Sequence, residues 1–202
     1  MTQRNNILAS AQHLFLRYGI KSITMDDVAK ELGISKKTLY QFVDNKSDLI
    51  EQIIELHLKN EIVEMDQIRS ASKDAVEEIL GFATYGTQML RELNPRTIYD
   101  LQKYHKKAWE LMESLHQEHI YTFIKSNLET GISQGLYRSD LHPDIIAKLY
   151  VGKTMLVVNE DVFPLKEYNK QNLFEAYIQY HIHGIASAKG LRKLEKYMAK
   201  KD

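Results

Sequence analysis

Apolar residues recur at intervals of three and four positions along almost the whole chain, which is the spacing of one face of an α-helix. The first such stripe comprises Ile7, Leu8, Ala11, Leu14, Phe15 and Tyr18, and a glycine follows it as a C-cap. No run alternates between apolar and polar residues over the length of a strand, and the 202 residues include only three prolines. The pattern predicts an all-α fold without a sheet.

Three short helices are predicted within the first 46 residues. The second begins in the stretch "TMDDVAKEL", where Thr24 and the aspartate three positions later have the spacing of a capping box. Ser35 is the expected N-cap of the third helix, and Leu39 and Val43 lie four positions apart on its core side. We therefore assign residues 1–46 to one compact module and residues 47–202 to a second domain.

Longer helices fill that second domain. The predicted segments are 47–68, 73–93, 95–104, 106–134, 143–160 and 171–198, which are separated by short polar, glycine or proline stretches. Gly81 and Gly86 interrupt a segment that is apolar on nearly every side, and such glycines indicate close packing or room for a ligand. A larger helical bundle is expected after the N-terminal module.

The outward face of the third helix carries polar groups that packing against the core does not explain. The stretch "GISKKTLYQFVDNKSDLI", residues 33–50, carries hydrogen-bonding and basic groups opposite its apolar positions. Two short helices joined by a glycine-containing turn, with a polar second helix, are typical of a helix-turn-helix whose second helix enters the major groove of DNA. Gln41 is a candidate for recognising adenine, and Lys36 and Lys37 are candidates for recognising guanine. The positive charges of Lys36, Lys37 and Lys46 also attract DNA phosphates.

Composition supports this interpretation. The first 46 residues carry seven basic and four acidic side chains, net +3, whereas the whole chain has a formal charge of zero. Charge separated in this way suits a protein of which one end meets a polyanion. The chain has no cysteine, which excludes disulfides and is compatible with the cytoplasm. No run approaches the ~20 apolar residues that span a bilayer, so no membrane partner is expected.

The stretch "TMDDVAKELGISKKTLYQFVDNKSDLI" resembles the DNA-binding motif of TetR-family transcriptional regulators. The matching positions are Thr24, Val28-Ala29, Gly33-Ile34-Ser35, Thr38-Leu39-Tyr40, Phe42-Val43 and Asn45-Lys46. Val43 stands where the family usually has phenylalanine, a difference that concerns packing rather than DNA contact. The resemblance implies that the DNA contacts are Thr24, Ser35, Lys36, Lys37, Thr38, Tyr40, Gln41 and Lys46.

The resemblance also implies a homodimer that represses transcription from a palindromic double-stranded operator. Its interface is expected on two stripes, one of Ile145, Leu149 and Gly152 and one of Phe174, Tyr177, Ile178, His181 and Ile185. Either stripe is equally compatible with the core of a single chain, and the family's two-helix interface favours the dimer.

A pocket for a small, largely hydrophobic effector is the family's further implication. The expected lining residues are Phe82, Tyr85, Met89, Trp109, Met112, His116, Met155 and Asn159. Aromatic and methionine side chains converging between helices suit such a pocket, although plain core is the alternative for each of them. The effector would release the protein from its operator.

Two other classes of function are the alternatives to a regulator. An enzyme would need catalytic or metal-binding residues, and His116-x-x-His119, Glu113-x-x-His116 and His181-x-His183 do not complete a di-iron or zinc motif. We therefore expect no catalytic residues, no metal and no cofactor. A nonspecific DNA-binding protein or a protein-docking helical module would keep the helix-turn-helix without an effector, and sequence preference for DNA separates these from a regulator.

Overall fold

The computed structural model describes residues 2–92, 95–159, 161–164 and 166–199, without the side chains of Glu92, Pro95, Leu115, His116 and Val158. The described residues form α-helices without a strand, in agreement with the predicted all-α class. The helices are α1 (Gln3–Tyr18), α2 (Met25–Glu31), α3 (Lys36–Leu39), α4 (Lys46–Ala71), α5 (Ala75–Glu92), α6 (Pro95–Tyr104), α7 (Lys106–Ser133), α8 (Pro143–Val158), α9 (Lys170–Ile185) and α10 (Ala188–Met198). None of these helices has the length and hydrophobicity to cross a bilayer.

Contacts between the helices divide the chain into two compact units. The first unit comprises Met1–Ile62 and Glu92–His116, and the second comprises Val63–Arg91 and Gln117–Asp202. The long helices α4 and α7 each contribute to both units. The functional boundary predicted at residue 46 stays a prediction, because a division by contacts does not identify which residues bind DNA.

The first unit is built on the short helices that the sequence predicts. Its core contains Ile7 and Phe15 of α1, Val28 of α2 and Leu39 of α3, all of them buried. Val43, at the position where TetR proteins usually have phenylalanine, is also buried in this core. The smaller side chain therefore packs inward, as the spacing of Leu39 and Val43 predicts.

The second unit contains a buried polar network between α5, α7 and the segment that follows α7. The Tyr137 hydroxyl donates to Ala75 O and lies 2.9 Å from Asn127 Oδ1, and Asn127 Nδ2 donates to Glu78 Oε2 at 2.9 Å. Arg69 Nε pairs with the other oxygen of Glu78 at 2.9 Å. Burial raises the pKa of Tyr137, so its hydroxyl stays protonated. The network satisfies polar groups that burial would otherwise penalise.

The C-terminal segment differs from the single helix predicted over 171–198. Residues Lys170–Ile185 and Ala188–Met198 form separate helices, α9 and α10. Ala186 between them is extended and pairs antiparallel with Tyr137, while Arg138 N donates to Ile185 O at 2.9 Å. Ser187 then starts α10 as its N-cap. Backbone pairing with a distant segment therefore ends the helix where side-chain periodicity alone would continue it.

Candidate nucleic-acid interface

The helix-turn-helix begins with a capping box at α2, as its sequence predicts. Thr24 N–H donates to Asp27 Oδ2 at 2.8 Å, and Asp27 N–H donates to Thr24 Oγ1 at 3.2 Å. The Thr24 hydroxyl also donates to Asp27 Oδ2 at 2.6 Å, and this bond together with that of the Thr24 N–H lowers the pKa of Asp27, so the carboxylate stays charged at the positive end of the helix. Thr24 itself is exposed, which leaves its surface available to a partner.

The turn between α2 and α3 depends on Gly33. Its φ of 62° lies in the left-handed region that glycine adopts without strain. The next residue closes the turn, because Ile34 N–H donates to Ala29 O at 3.0 Å. The glycine therefore sets the angle at which α3 leaves α2.

Helix α3 is a single turn with one buried and one exposed side. Ser35 Oγ accepts from Thr38 N–H at 3.0 Å and so caps the helix, and Leu39 is fully buried beneath it. The exposed side consists of Ser35, Lys36, Lys37, Tyr40 and Gln41, with Thr38 half-buried at its edge. Gln41 falls in the turn after α3 rather than in the helix itself. The structure thus brings six of the eight predicted DNA contacts onto one polar surface.

The two lysines of α3 differ in their surroundings. Lys36 Nζ pairs with Asp26 Oδ1 at 2.8 Å, and this bond raises the pKa of Lys36. Lys37 is exposed and forms no ion pair within the part of the chain that the structure describes. Exposed ion pairs contribute little stability, so both ammonium groups can exchange their present surroundings for a phosphate.

Lys46 is oriented differently from the other predicted contacts. It is half-buried, and its Nζ donates to Ile20 O at 2.6 Å and to Ile23 O at 2.5 Å, while lying 5.8 Å from the centroid of the Phe15 ring. Burial lowers the pKa of Lys46. Its contact with DNA stays a prediction, and what the geometry shows is an ammonium group that holds the loop between α1 and α2.

Helix α6 holds the same loop and the last turn of α1. Lys21 N–H donates to Asp100 Oδ2 at 2.8 Å, and the Thr97 hydroxyl donates to Phe15 O at 3.0 Å. Both Asp100 and Thr97 are buried polar residues. Sequence reasoning missed them, because no local signal relates a residue of α6 to a loop about eighty positions earlier.

The two stripes predicted at a dimer interface differ in solvent exposure. Ile145 and Leu149 of α8 are 54% and 50% exposed, and Gly152 is exposed beside them. The stripe of α9 lies in the core of the second unit, where Phe174, Tyr177, Ile178, His181 and Ile185 are all buried. The α9 stripe therefore packs within its own chain, which was the alternative to the dimer, and it leaves little exposed surface for a second subunit.

The residues predicted to line an effector pocket divide between the two units. Phe82 is buried with its ring centroid 4.7 Å from that of Phe123, and Tyr85, Met89 and Met155 are half-buried in the second unit, whereas Asn159 is exposed. Trp109 and Met112 pack against the core of the first unit. The side chain of His116 lies outside the described residues. Gly86 indicates close packing, because a Cβ there would lie 2.8 Å from Phe174 Cζ.

Comparisons with known proteins show which family and which regulators the chain is similar to. A family model described as "Bacterial regulatory proteins, tetR family" matches residues 7–53. An uncharacterized HTH-type transcriptional regulator of Bacillus subtilis, YvaF, is 27% identical over 90% of this chain and 94% of its own length.

Solved structures of regulators share the whole fold at low identity. A TetR-family transcriptional regulator from Agrobacterium tumefaciens has a TM-score of 0.71 and 15% identity, over 91% of this chain and 97% of its own. A putative transcriptional regulator from Saccharomonospora viridis, solved in complex with choline, has a TM-score of 0.68 and 18% identity, over 91% of this chain and 97% of its own. The motif from Thr24 to Lys46 and its capped geometry agree with these matches: residues 7–53 match the tetR-family model, and over most of its length the chain is similar to an HTH-type transcriptional regulator.

Proposed function

We propose that this protein is a cytoplasmic repressor that binds a palindromic operator as a homodimer and is released by a small, largely hydrophobic ligand. The observation that carries the proposal is the exposed polar surface of α3, which lies over the buried Leu39. Hydrogen-bonding side chains that point outward from a short, capped helix are the groups that read base edges in the major groove.

The size and chemistry of that surface support base reading. Tyr40 is 42% exposed although it is a large aromatic residue, and Gln41 is exposed next to it. Gln41 has the donor and acceptor pair that matches adenine, while Lys36 and Lys37 reach guanine or phosphate. A single such surface binds weakly, because nonspecific affinities lie near 10⁻⁴–10⁻⁶ M at physiological salt. Two copies on one duplex provide the missing affinity.

The exposed apolar face of α8 supports the homodimer. Ile145, Leu149 and Leu156 are large apolar residues spaced along one side of this helix, and all three are exposed. A Cβ at Gly152 would meet no atom within 4 Å, so the backbone is open to close approach there. Exposed apolar patches mark contact surfaces, and a second copy of the same face is its natural complement in a two-fold dimer.

Two buried polar atoms support an effector site in the second unit. Tyr150 Oη and His181 Nε2 have no hydrogen-bond partner among the described residues, and the two ring centroids lie 4.7 Å apart. Burial lowers the pKa of His181 to about 4, so its ring is neutral near pH 7. A ligand with one polar group in an otherwise apolar body would satisfy these atoms.

Release requires that the ligand favour one conformation of the dimer. A ligand that binds two states equally shifts neither. The expected result is therefore a compound that both raises the melting temperature and lowers operator affinity. A compound that raises the melting temperature and leaves operator binding unchanged would contradict the effector part of the proposal.

Selection from random-sequence DNA duplexes at near-physiological salt tests the operator and the dimer together. The proposal predicts one enriched, two-fold symmetric sequence, and sedimentation of the resulting complex should show two chains on each duplex. DNA retained without any enriched sequence would indicate a nonspecific binding protein. No retained DNA would indicate a protein-docking module.

A further inference from the structure

Four exposed side chains form a patch of lysine and tyrosine beside the loop between α1 and α2. Lys103 Nζ lies 5.1 Å from the ring centroid of Tyr99 and 5.5 Å from that of Tyr104, and Lys21 Nζ lies 5.1 Å from Tyr104. Lys103 Nζ also donates to the Tyr99 hydroxyl at 2.6 Å. We call Lys21, Tyr99, Lys103 and Tyr104 the α6 patch. The two tyrosines are 49% and 46% exposed, and both lysines are exposed.

The two lysines of the α6 patch keep their charges out of ion pairs. Within the described ranges, neither Lys21 nor Lys103 forms an ion pair with an acidic side chain. The carboxylate of Asp100 is buried and accepts from the Lys21 main chain, so it faces inward. The hydrogen bond with Tyr99 raises the pKa of Lys103, which keeps that ammonium group charged. Lys106, exposed just after α6, adds a further positive charge.

The α6 patch lies close to the starts of α2 and α4. Lys21 lies three positions before Thr24, the N-cap of α2, in a loop whose carbonyls Lys46 holds from the start of α4. The end of α6 also approaches the start of α4, because His105 Nδ1 lies 3.4 Å from Ser47 Oγ. All of these residues belong to the first unit. Lys21, one member of the patch, is therefore only three positions from Thr24, a predicted DNA contact.

We infer that the α6 patch is a second contact with DNA, in which Lys21 and Lys103 bind phosphates beside those approached by the helix-turn-helix. The Tyr99 hydroxyl accepts from Lys103, so its own hydrogen is available to donate to a phosphate oxygen. Contacts of this kind add affinity and fix the position of the protein without reading sequence. The inference rests on the proposed operator binding, and it assigns α6 a role in that binding.

Replacement of both lysines in the full-length protein, Lys21→Gln with Lys103→Gln, tests the patch. The affinity for the selected duplex is measured over a range of salt concentrations. The slope of log K against log salt should fall by about 0.9 for each phosphate that is no longer bound, or about 3.6 for two lysines in each of two subunits. Lys125→Gln is the matched control, because Lys125 also lies over a tyrosine ring, 6.0 Å from the centroid of Tyr121 in the second unit. Its slope should equal that of the wild type.

Other outcomes overturn the inference in distinguishable ways. An unchanged slope in the double variant, with operator binding intact in the wild type, shows that the patch does not contact DNA. A changed sedimentation mass shows that the patch is a contact between subunits instead. If the wild type enriches no sequence, the proposed function fails. The salt slope of the double variant is then measured on unselected DNA, and a slope equal to that of the wild type overturns the DNA contact of the α6 patch separately. Thermal unfolding of the variant should match the wild type, because both lysines are exposed.

Discussion

Replacing Lys46 with methionine asks whether this lysine holds the α1–α2 loop or contacts DNA. Methionine keeps an unbranched apolar stem but removes the ammonium group that donates to Ile20 O and Ile23 O. Hydrogen bonds from charged donors contribute about 1.5–3 kcal/mol each. Burial lowers the pKa of Lys46, so desolvation of the charge offsets part of this gain.

We therefore expect Lys46→Met to lower the free energy of unfolding by about 2 kcal/mol, which corresponds to roughly 4–8 °C in melting temperature for a chain of this size. Operator affinity should fall by about tenfold, or about 1.4 kcal/mol, because the loop that positions Thr24 is then held by two fewer hydrogen bonds. The salt slope should stay unchanged, since no phosphate contact is removed.

Thermal unfolding by circular dichroism and duplex binding at several salt concentrations provide the two measurements. Lys37→Met is the matched control, because Lys37 is exposed on α3 and is a predicted DNA contact. It should show the reverse pattern, an unchanged melting temperature and a salt slope lower by about 0.9 per subunit. An unchanged melting temperature with a reduced salt slope in Lys46→Met would refute the structural role of this lysine.

Three further substitutions have defined outcomes. Gly190→Ala should lower the free energy of unfolding by about 2–3 kcal/mol in urea titrations, because its Cβ would overlap the carbonyl oxygen of Leu136, and an unchanged midpoint would contradict that packing. Leu149→Glu places a charge on the exposed face of α8, so sedimentation should give the mass of one chain, whereas an unchanged mass excludes this face from the interface. The free energy of unfolding of the wild type should decline as pH falls from 6.5 towards 4. Burial lowers the pKa of His181 to about 4, so the unfolded chain binds a proton at a higher pH than the folded chain does. This difference contributes about 3 kcal/mol to the decline. His181→Phe should remove that part of the decline in urea titrations at each pH, and an undiminished decline would contradict it.

Local signals in the sequence predict the helix-turn-helix closely. Thr24 and Ser35 cap their helices through bonds to residues three positions away, and Gly33 provides the left-handed turn between them. Each of these features depends on neighbours within one helical turn, which is why their spacing in the sequence is informative. The buried positions of Leu39 and Val43 follow from the same short-range periodicity.

Features that depend on distant residues were not predictable in this way. The break between α9 and α10 requires Leu136 O to accept from Ser187 N–H, and the loop before α2 requires Asp100 to accept from Lys21 N–H. Periodicity also does not distinguish an apolar stripe that packs within its own chain from one that stays exposed. The buried stripe of α9 and the exposed Leu149 of α8 therefore have the same pattern in the sequence. Only the packing of whole helices distinguishes them.

The most direct test of DNA reading by α3 compares the affinities for the selected duplex and for a scrambled duplex. The wild type should prefer the selected duplex by about 10³-fold or more. The double variant Lys37→Ala with Gln41→Ala should reduce that preference by at least about tenfold, since the base contact of Gln41 contributes ~1–3 kcal/mol in each of two subunits, whereas losing the phosphate contact of Lys37 weakens binding to both duplexes alike. The control variant Lys59→Ala with Gln67→Ala changes two exposed residues of α4 and should keep the full preference. A double variant of α3 that folds normally and still discriminates like the wild type would contradict the account.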